Sequence, residues 1–236
     1  MRKNVMKKIC LWMILLMLTL TACSGRQPGE TTVSTTETTV QETTAQETVF
    51  SEPTEPESED VFVRVLDYIP EASQQLMYAT ADNFTGQVIY DFEDAYLRWG
   101  TVKKLKLVCE DLAQMGLYIK IWDGFRPVSA QFALWEVCPD STYVANPNKG
   151  FSSHSRGNTI DLTLVDAGGR EVEMPTGFDD FSSKADRDYS DCSETAANNA
   201  EILEILMEKH GFTGYSGEWW HYSDTTSYAV EKVFEP

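Results

Sequence analysis

Apolar positions follow two rhythms between residues 61 and 236, and the switches between them mark out the elements. FVRVLDYI (Phe62–Ile69) alternates and predicts a strand. From Asp94 to Met115, Leu97, Leu105, Val108, Leu112 and Met115 recur on one helical face, with Gly116 just past the end, which predicts a helix. LYIKIW (Leu117–Trp122) alternates again and breaks at DGFRP. A short helix over VSAQFALWEV and a strand over TIDLTL follow. Ser193 or Thr195 can cap a helix through Ile202, Leu203, Leu206 and Lys209, closed by Gly211. EWWHYS predicts the last strand. Helices and strands mix without a regular βαβ beat or an internal repeat. The expectation is therefore an α+β fold: one domain over 61–236 with a central antiparallel sheet flanked by helices.

The first 60 residues read differently. Arg2, Lys3, Lys7 and Lys8 precede CLWMILLMLTL, an apolar run too short for a membrane anchor, so residues 1–22 are expected to be a signal peptide. The run ends in LTAC, which resembles a bacterial lipobox in which Cys23 is lipidated; an ordinary secretory signal with an incidental cysteine is the alternative. Residues 24–60, rich in Thr, Glu, Ser, Gln and Pro, have almost nothing to bury and are expected to be a disordered tether.

Charge and cysteines narrow the class. The chain carries −18 overall; four cations before residue 26 and a net −8 over 26–60 leave −14 for the domain. Such acidity makes nucleic acid an unsuitable partner. Cys109 lies among Leu105, Val108 and Leu112 and reads as a core residue. Cys138 and Cys192 sit in loop-like sequence, where an extracytoplasmic setting permits a disulfide between them.

The candidate chemistry lies in three blocks. In SSHSRGNTIDLTL, Asp161 shares a strand face with Thr159 and Thr163, opposite Ile160, Leu162 and Leu164, and could floor a polar cleft with His154 folded beside it. That pair alone fits a structural hydrogen bond as well as a metal site. GEWWHYS adds His221, a second imidazole, and Glu218, a candidate base; two histidines and a carboxylate with an open position make a catalytic zinc set. Residues three apart on a regular strand face opposite ways, so a bulge, or a Glu218 still in the Gly217 turn, is required. In DGFRP, Arg126 is either an oxyanion donor or a surface arginine in a turn. Trp219 is either packing or substrate contact. His210 reads as a helix-end cation, and Glu201, Glu204 and Glu208 as a solvated helix face.

SxHxxGxxxD (Ser152, His154, Gly157, Asp161), ExWH (Glu218, Trp220, His221), DGFRP (Asp123–Pro127) and YATADNFTG (Tyr78–Gly86) together resemble the D-alanyl-D-alanine dipeptidases of the vancomycin-resistance type, over essentially all of 61–236. The resemblance implies a hedgehog/D,D-peptidase-like fold and one Zn2+ per chain on His154, Asp161 and His221. It implies Glu218 as general base, Arg126 as transition-state stabiliser, and Ser152 and Tyr78 lining the dipeptide pocket. Asp179 of GFDDF, or Asp180, would receive the substrate ammonium; the histidine frequent after this segment is missing from SSKADRDYSD. The implied activity is hydrolysis of D-Ala-D-Ala or a similar D,D-dipeptide. With the lipobox, it would act outside the membrane, in wall-peptide turnover or salvage. The alternatives are a D,D-carboxypeptidase acting on stem peptides and a non-catalytic zinc-containing wall-binding module.

Overall fold

A computed structural model describes residues 53–236. The signal segment, Cys23 and the tether up to residue 52 lie outside the described residues. A short antiparallel ribbon joins β1 (Phe62–Arg64) to β3 (Tyr96–Arg98). The main sheet runs in the order β2 (Ser73–Gln74), β4 (Leu117–Asp123), β5 (Thr159–Asp166), β7 (Glu218–Asp224), β6 (Phe212–Tyr215). Its neighbours are antiparallel except at one edge, where β2 runs parallel to β4. Among the described residues four helices accompany it: α1 (Val65–Tyr68), α2 (Trp99–Ala113), α3 (Val128–Val137) and α4 (Glu194–Lys209). The fold is thus the expected mixed α+β domain.

Two predicted elements differ from the pattern-based reading, each for a physical reason, and β2 and β6 have no counterpart in it. FVRVLDYI is a strand only as far as Arg64; Val65 and Ile69, both fully buried, then share one face of a helical turn. A short apolar run with spacings of two and four satisfies either period, and tertiary packing decides. The helix expected from Asp94 begins at Trp99, because Leu97 is buried in β3 opposite Val63. Elsewhere the boundaries agree closely. Ser193 Oγ accepts the Ala196 N–H at 3.0 Å and caps α4.

One core joins the sheet to α2 and α4 through Leu105, Val108, Leu112, Leu203, Leu206 and Ile160. Truncating a fully buried leucine such as Leu105 to alanine typically costs about 2–5 kcal/mol. Cys109 is buried here, as expected. Cys138 and Cys192 are free thiols rather than a disulfide. The end of the tether stretch belongs to the domain: Glu59 accepts the Gly100 N–H at 3.1 Å and pairs with Lys103, and the Asp60 carbonyl accepts from Arg98.

Candidate metal and catalytic site

Sheet register fixes the first two residues of the site. Asp161 on β5 stands directly opposite Asp123 on β4 and His221 on β7. Directly opposed residues share a sheet face, so the three side chains form a row across three strands. This face is covered rather than an open cleft floor: Thr159, Asp161 and Thr163 are all buried, because β5 is central and the site closes over it.

His154 reaches the row from a tight turn (Ser153–Arg156) whose geometry is specified locally. Ser152 Oγ accepts the His154 N–H at 3.3 Å, and Gly157 closes the turn at φ +74°. A Cβ at Gly157 would lie 2.3 Å from the Phe62 ring, so glycine is required for space as well as conformation. His154 Nδ1 lies 2.7 Å from the Gly124 carbonyl. A carbonyl only accepts, so Nδ1 carries the proton and the Nε2 lone pair faces the site. Nε2 lies 3.3 Å from Asp161 Oδ2 and 3.4 Å from His221 Nδ1.

The fourth side chain depends on an irregular strand. Beyond Gly214 opposite Tyr222, the β6–β7 ladder skips, so that Tyr215 faces Glu218. Burial records the slip: Trp219 and Trp220 are adjacent yet both buried, which strict alternation forbids on a half-covered strand. Glu218 and His221 consequently lie on the same side, with Glu218 Oε2 3.5 Å from His221 Nδ1.

Ligand atoms of His154, Asp161 and His221 all lie within 4.8 Å of one another. Asp161 Oδ1 is 2.9 Å from His221 Nδ1 but is not aligned for a hydrogen bond, and it is a buried oxygen without a hydrogen-bond partner. Buried lone pairs converging in this way could hold a shared cation. Two imidazoles and one carboxylate suit zinc, with a position left for water. Electrostatics agree. Burial alone would raise Asp161, yet the His154 and His221 imidazoles hold its carboxyl well below the usual range. Burial would likewise depress His154, but the Asp161 and Asp123 carboxylates outweigh it and hold the imidazole above its ordinary value. Burial, and then the Asp161 charge, push Glu218 upward, as a general base requires.

Arg126 is buried, not a surface arginine in a turn. Its guanidinium donates to Asp123 Oδ2 (2.6 Å), Tyr90 Oη (3.1 Å) and Gln131 Oε1 (3.3 Å), and its carbon lies 5.0 Å above the Tyr78 ring. Asp123 Oδ1 accepts from Tyr90 Oη at 2.7 Å and from the Gly124 N–H at 2.9 Å. This network braces both Arg126 and the peptide that orients His154.

Asp179 sits in left-handed backbone at φ +53°, which turns its carboxylate inward. Tyr78 Oη donates to its Oδ2 at 2.7 Å, so Tyr78 backs the aspartate. Burial pushes Asp179 up to about 7, with Asp161 raising it further and Tyr78 and Arg126 opposing. Asp180 instead accepts the Ser182 N–H within its own loop. Trp219 is fully buried and donates to Thr176 Oγ1 at 2.9 Å, so it packs. His210 is structural, its Nε2 2.6 Å from Asp111 Oδ2.

Sequence reasoning missed Tyr90, Gln131 and Ser153, whose Oγ lies 3.5 Å from His221 Nε2. Asp123, three residues before Arg126, was the one member of the brace with a local signal.

A buried His–Asp–His cluster beside a glutamate and an arginine is a set that could hold a metal ion and support hydrolysis. The model of the peptidase M15 family, described as D-ala-D-ala dipeptidase, matches residues 58–235, and the chain belongs to that family. A D-alanyl-D-alanine dipeptidase of Escherichia coli K12 is 37% identical over 153 residues, 65% of this chain and 79% of that protein. One from Enterococcus faecalis is 34% identical over 165 residues, covering 61% and 82%. Among solved structures, the vancomycin-resistance D,D-dipeptidase VanXYg with a D-Ala-D-Ala phosphinate analogue aligns at TM-score 0.37 and 21% identity, over 56% of this chain and 52% of that one. A VanY D,D-pentapeptidase in complex with Zn(II) aligns at TM-score 0.36 and 17% identity, covering 56% and 74%.

Proposed function

We propose that the chain is a zinc-dependent D,D-dipeptidase that hydrolyses D-alanyl-D-alanine or a similar dipeptide at the cell surface, in wall-peptide turnover or salvage. The observation that carries this reading is the convergence of His154, Asp161 and His221, with Glu218 3.5 Å from His221. These three would hold one Zn2+, which when bound supplies Lewis acidity toward the scissile carbonyl and toward water.

The chain's own groups account for the remaining chemistry. Glu218 takes the proton of the attacking water and returns it to the leaving amine. Arg126 uses guanidinium N–H groups not engaged by Asp123, Tyr90 and Gln131 to meet charge developing on the carbonyl oxygen. Asp179 receives the substrate ammonium, held in place by Tyr78. Ser152 keeps its hydroxyl proton for the substrate while its oxygen caps the His154 turn. Cys23 would carry the lipid that holds the domain outside the membrane.

The test is a hydrolysis panel of D,D-, L,D- and L,L-dipeptides and a pentapeptide stem, using the zinc-loaded protein, with fractionation of cells. D-Ala-D-Ala should be cleaved, chelator should abolish turnover, and the protein should sediment with membranes. Binding without turnover, or faster cleavage of the pentapeptide, would overturn the substrate assignment; a cytosolic protein would overturn the location.

A further inference from the structure

We propose that Arg187 is a positioning residue: its guanidinium holds the slipped segment of β7 in the shape that lets Glu218 and His221 address one metal. The inference deepens the zinc reading and rests on it.

In an unbroken ladder Tyr215 would face His221, but the slip sets it opposite Glu218. The segment 219–221 is thereby left without a regular β6 partner, and Arg187 takes its place. Arg187 Nη2 donates to the carbonyls of Trp219 (3.0 Å) and His221 (2.9 Å), and Nε donates to the Tyr215 carbonyl (2.8 Å). Nη1 donates to Tyr222 Oη at 3.0 Å, and the backbone N–H of Arg187 donates to the Ser216 carbonyl at 3.2 Å. One planar cation therefore ties together both sides of the irregularity, including the carbonyl of His221 itself. A lysine, with a single nitrogen, could not span these acceptors.

Two further observations show that the arrangement is built. The guanidinium stacks 4.3 Å over the Tyr222 ring and lies 3.7 Å from Glu204 Oε2, which also accepts from Tyr189 Oη at 2.9 Å. Glu204 is thus not merely part of a solvated helix face. Gly214, at the point of slippage, leaves room for Arg187: a Cβ there would stand 2.3 Å from Arg187 Cζ and 2.6 Å from Nε and Nη2. Gly214 does not have positive φ, so its missing side chain serves close approach, not an unusual turn.

The experiment compares wild type, Arg187→Ala and Gly214→Ala as full-length proteins. Three readouts are needed: Zn2+ affinity by chelator competition, kcat and KM on D-Ala-D-Ala, and amide exchange of the metal-free protein. Partners that orient metal ligands typically change affinity by roughly 10- to 100-fold, and a loss in that range is expected for both variants. The variants should lower kcat while leaving KM within about threefold, since the dipeptide contacts are elsewhere. Exchange should accelerate at residues 218–222 and not in α2. Millimolar methylguanidinium should restore part of kcat to Arg187→Ala but not to Gly214→Ala, where the methyl group fills the space.

Zinc affinity and kcat within about twofold of wild type in Arg187→Ala would overturn the proposal. So would a rescue that restores thermal stability without kcat. If Arg187→Ala does not fold, Gly214→Ala decides on the same readouts. Should wild type take up no zinc, the metal reading falls, and the exchange pattern still decides whether Arg187 holds the strand.

Discussion

The two halves of the site are built by opposite strategies. His154 stands on a locally capped turn and Asp161 on a central strand in regular register with β7; the ring of His154 is then fixed by the Gly124 carbonyl, 30 residues upstream. Glu218 and His221 stand on a strand that breaks register and is held by a side chain some thirty residues upstream. The backbone of the first half follows local capping and regular β5–β7 register, whereas the backbone of the second is tied by a side chain, that of Arg187. The candidate metal site thus combines one wall set by regular backbone with one whose alignment rests on a side-chain clamp.

The sharpest way to test this division is Glu218→Gln. It should reduce kcat by roughly 10²–10⁴ with zinc content unchanged, whereas His154→Ala should lose the metal itself. Metal analysis beside turnover checks both; loss of zinc from Glu218→Gln would erase the distinction between base and ligand. Arg126→Lys probes the brace behind the first half. Charge is kept but the fork is lost, so kcat should fall by roughly 10²–10³, read from steady-state rates.

Asp179→Asn should raise KM by roughly 10- to 100-fold through loss of a charge-assisted bond to the ammonium, with a smaller change in kcat. Its pH dependence has a definite sign. Asp179 is held up to about 7 against an ordinary 3.8, so kcat/KM should rise as pH climbs through about 7. The folded protein keeps a proton that the unfolded chain releases. The contribution of Asp179 to stability is therefore greatest below about 4 and declines as pH rises towards 7; the asparagine variant should lack that decline in thermal melts. The smallest effect belongs to the regular ladder. Thr159 Oγ1 and Ser223 Oγ, 2.8 Å apart, pair across β5 and β7. Thr159→Val should cost about 1 kcal/mol in denaturant melts and leave kcat nearly untouched.

The same contrast explains what could be read from the residues alone. Asp161 was legible because a period of two assigns its face, and so was the folding of His154 beside it; the Ser152 cap that sets the turn was not read. The need for an irregularity before His221 was legible as a geometric contradiction. Its cause was not: nothing in SSKADRDYSD announces that Arg187 will meet carbonyls from residues 215 to 221. Tyr90 and Gln131 were hidden for the same reason, since they serve Arg126 through tertiary contacts with no spacing rule. The Val65 turn was missed because a stretch as short as FVRVLDYI fits either period until packing chooses.

The slip in β7 also leaves two indoles side by side in the interior. Trp219 and Trp220 have ring centroids 5.6 Å apart and planes at 88°, and Trp122 lies 5.6 Å from Trp219 at 69°. Chromophores this close and this steeply inclined couple their electronic transitions, giving a circular dichroism signal that depends steeply on their mutual angle. The strand that presents Glu218 and His221 should therefore carry its own optical gauge, readable in far-ultraviolet light without any label.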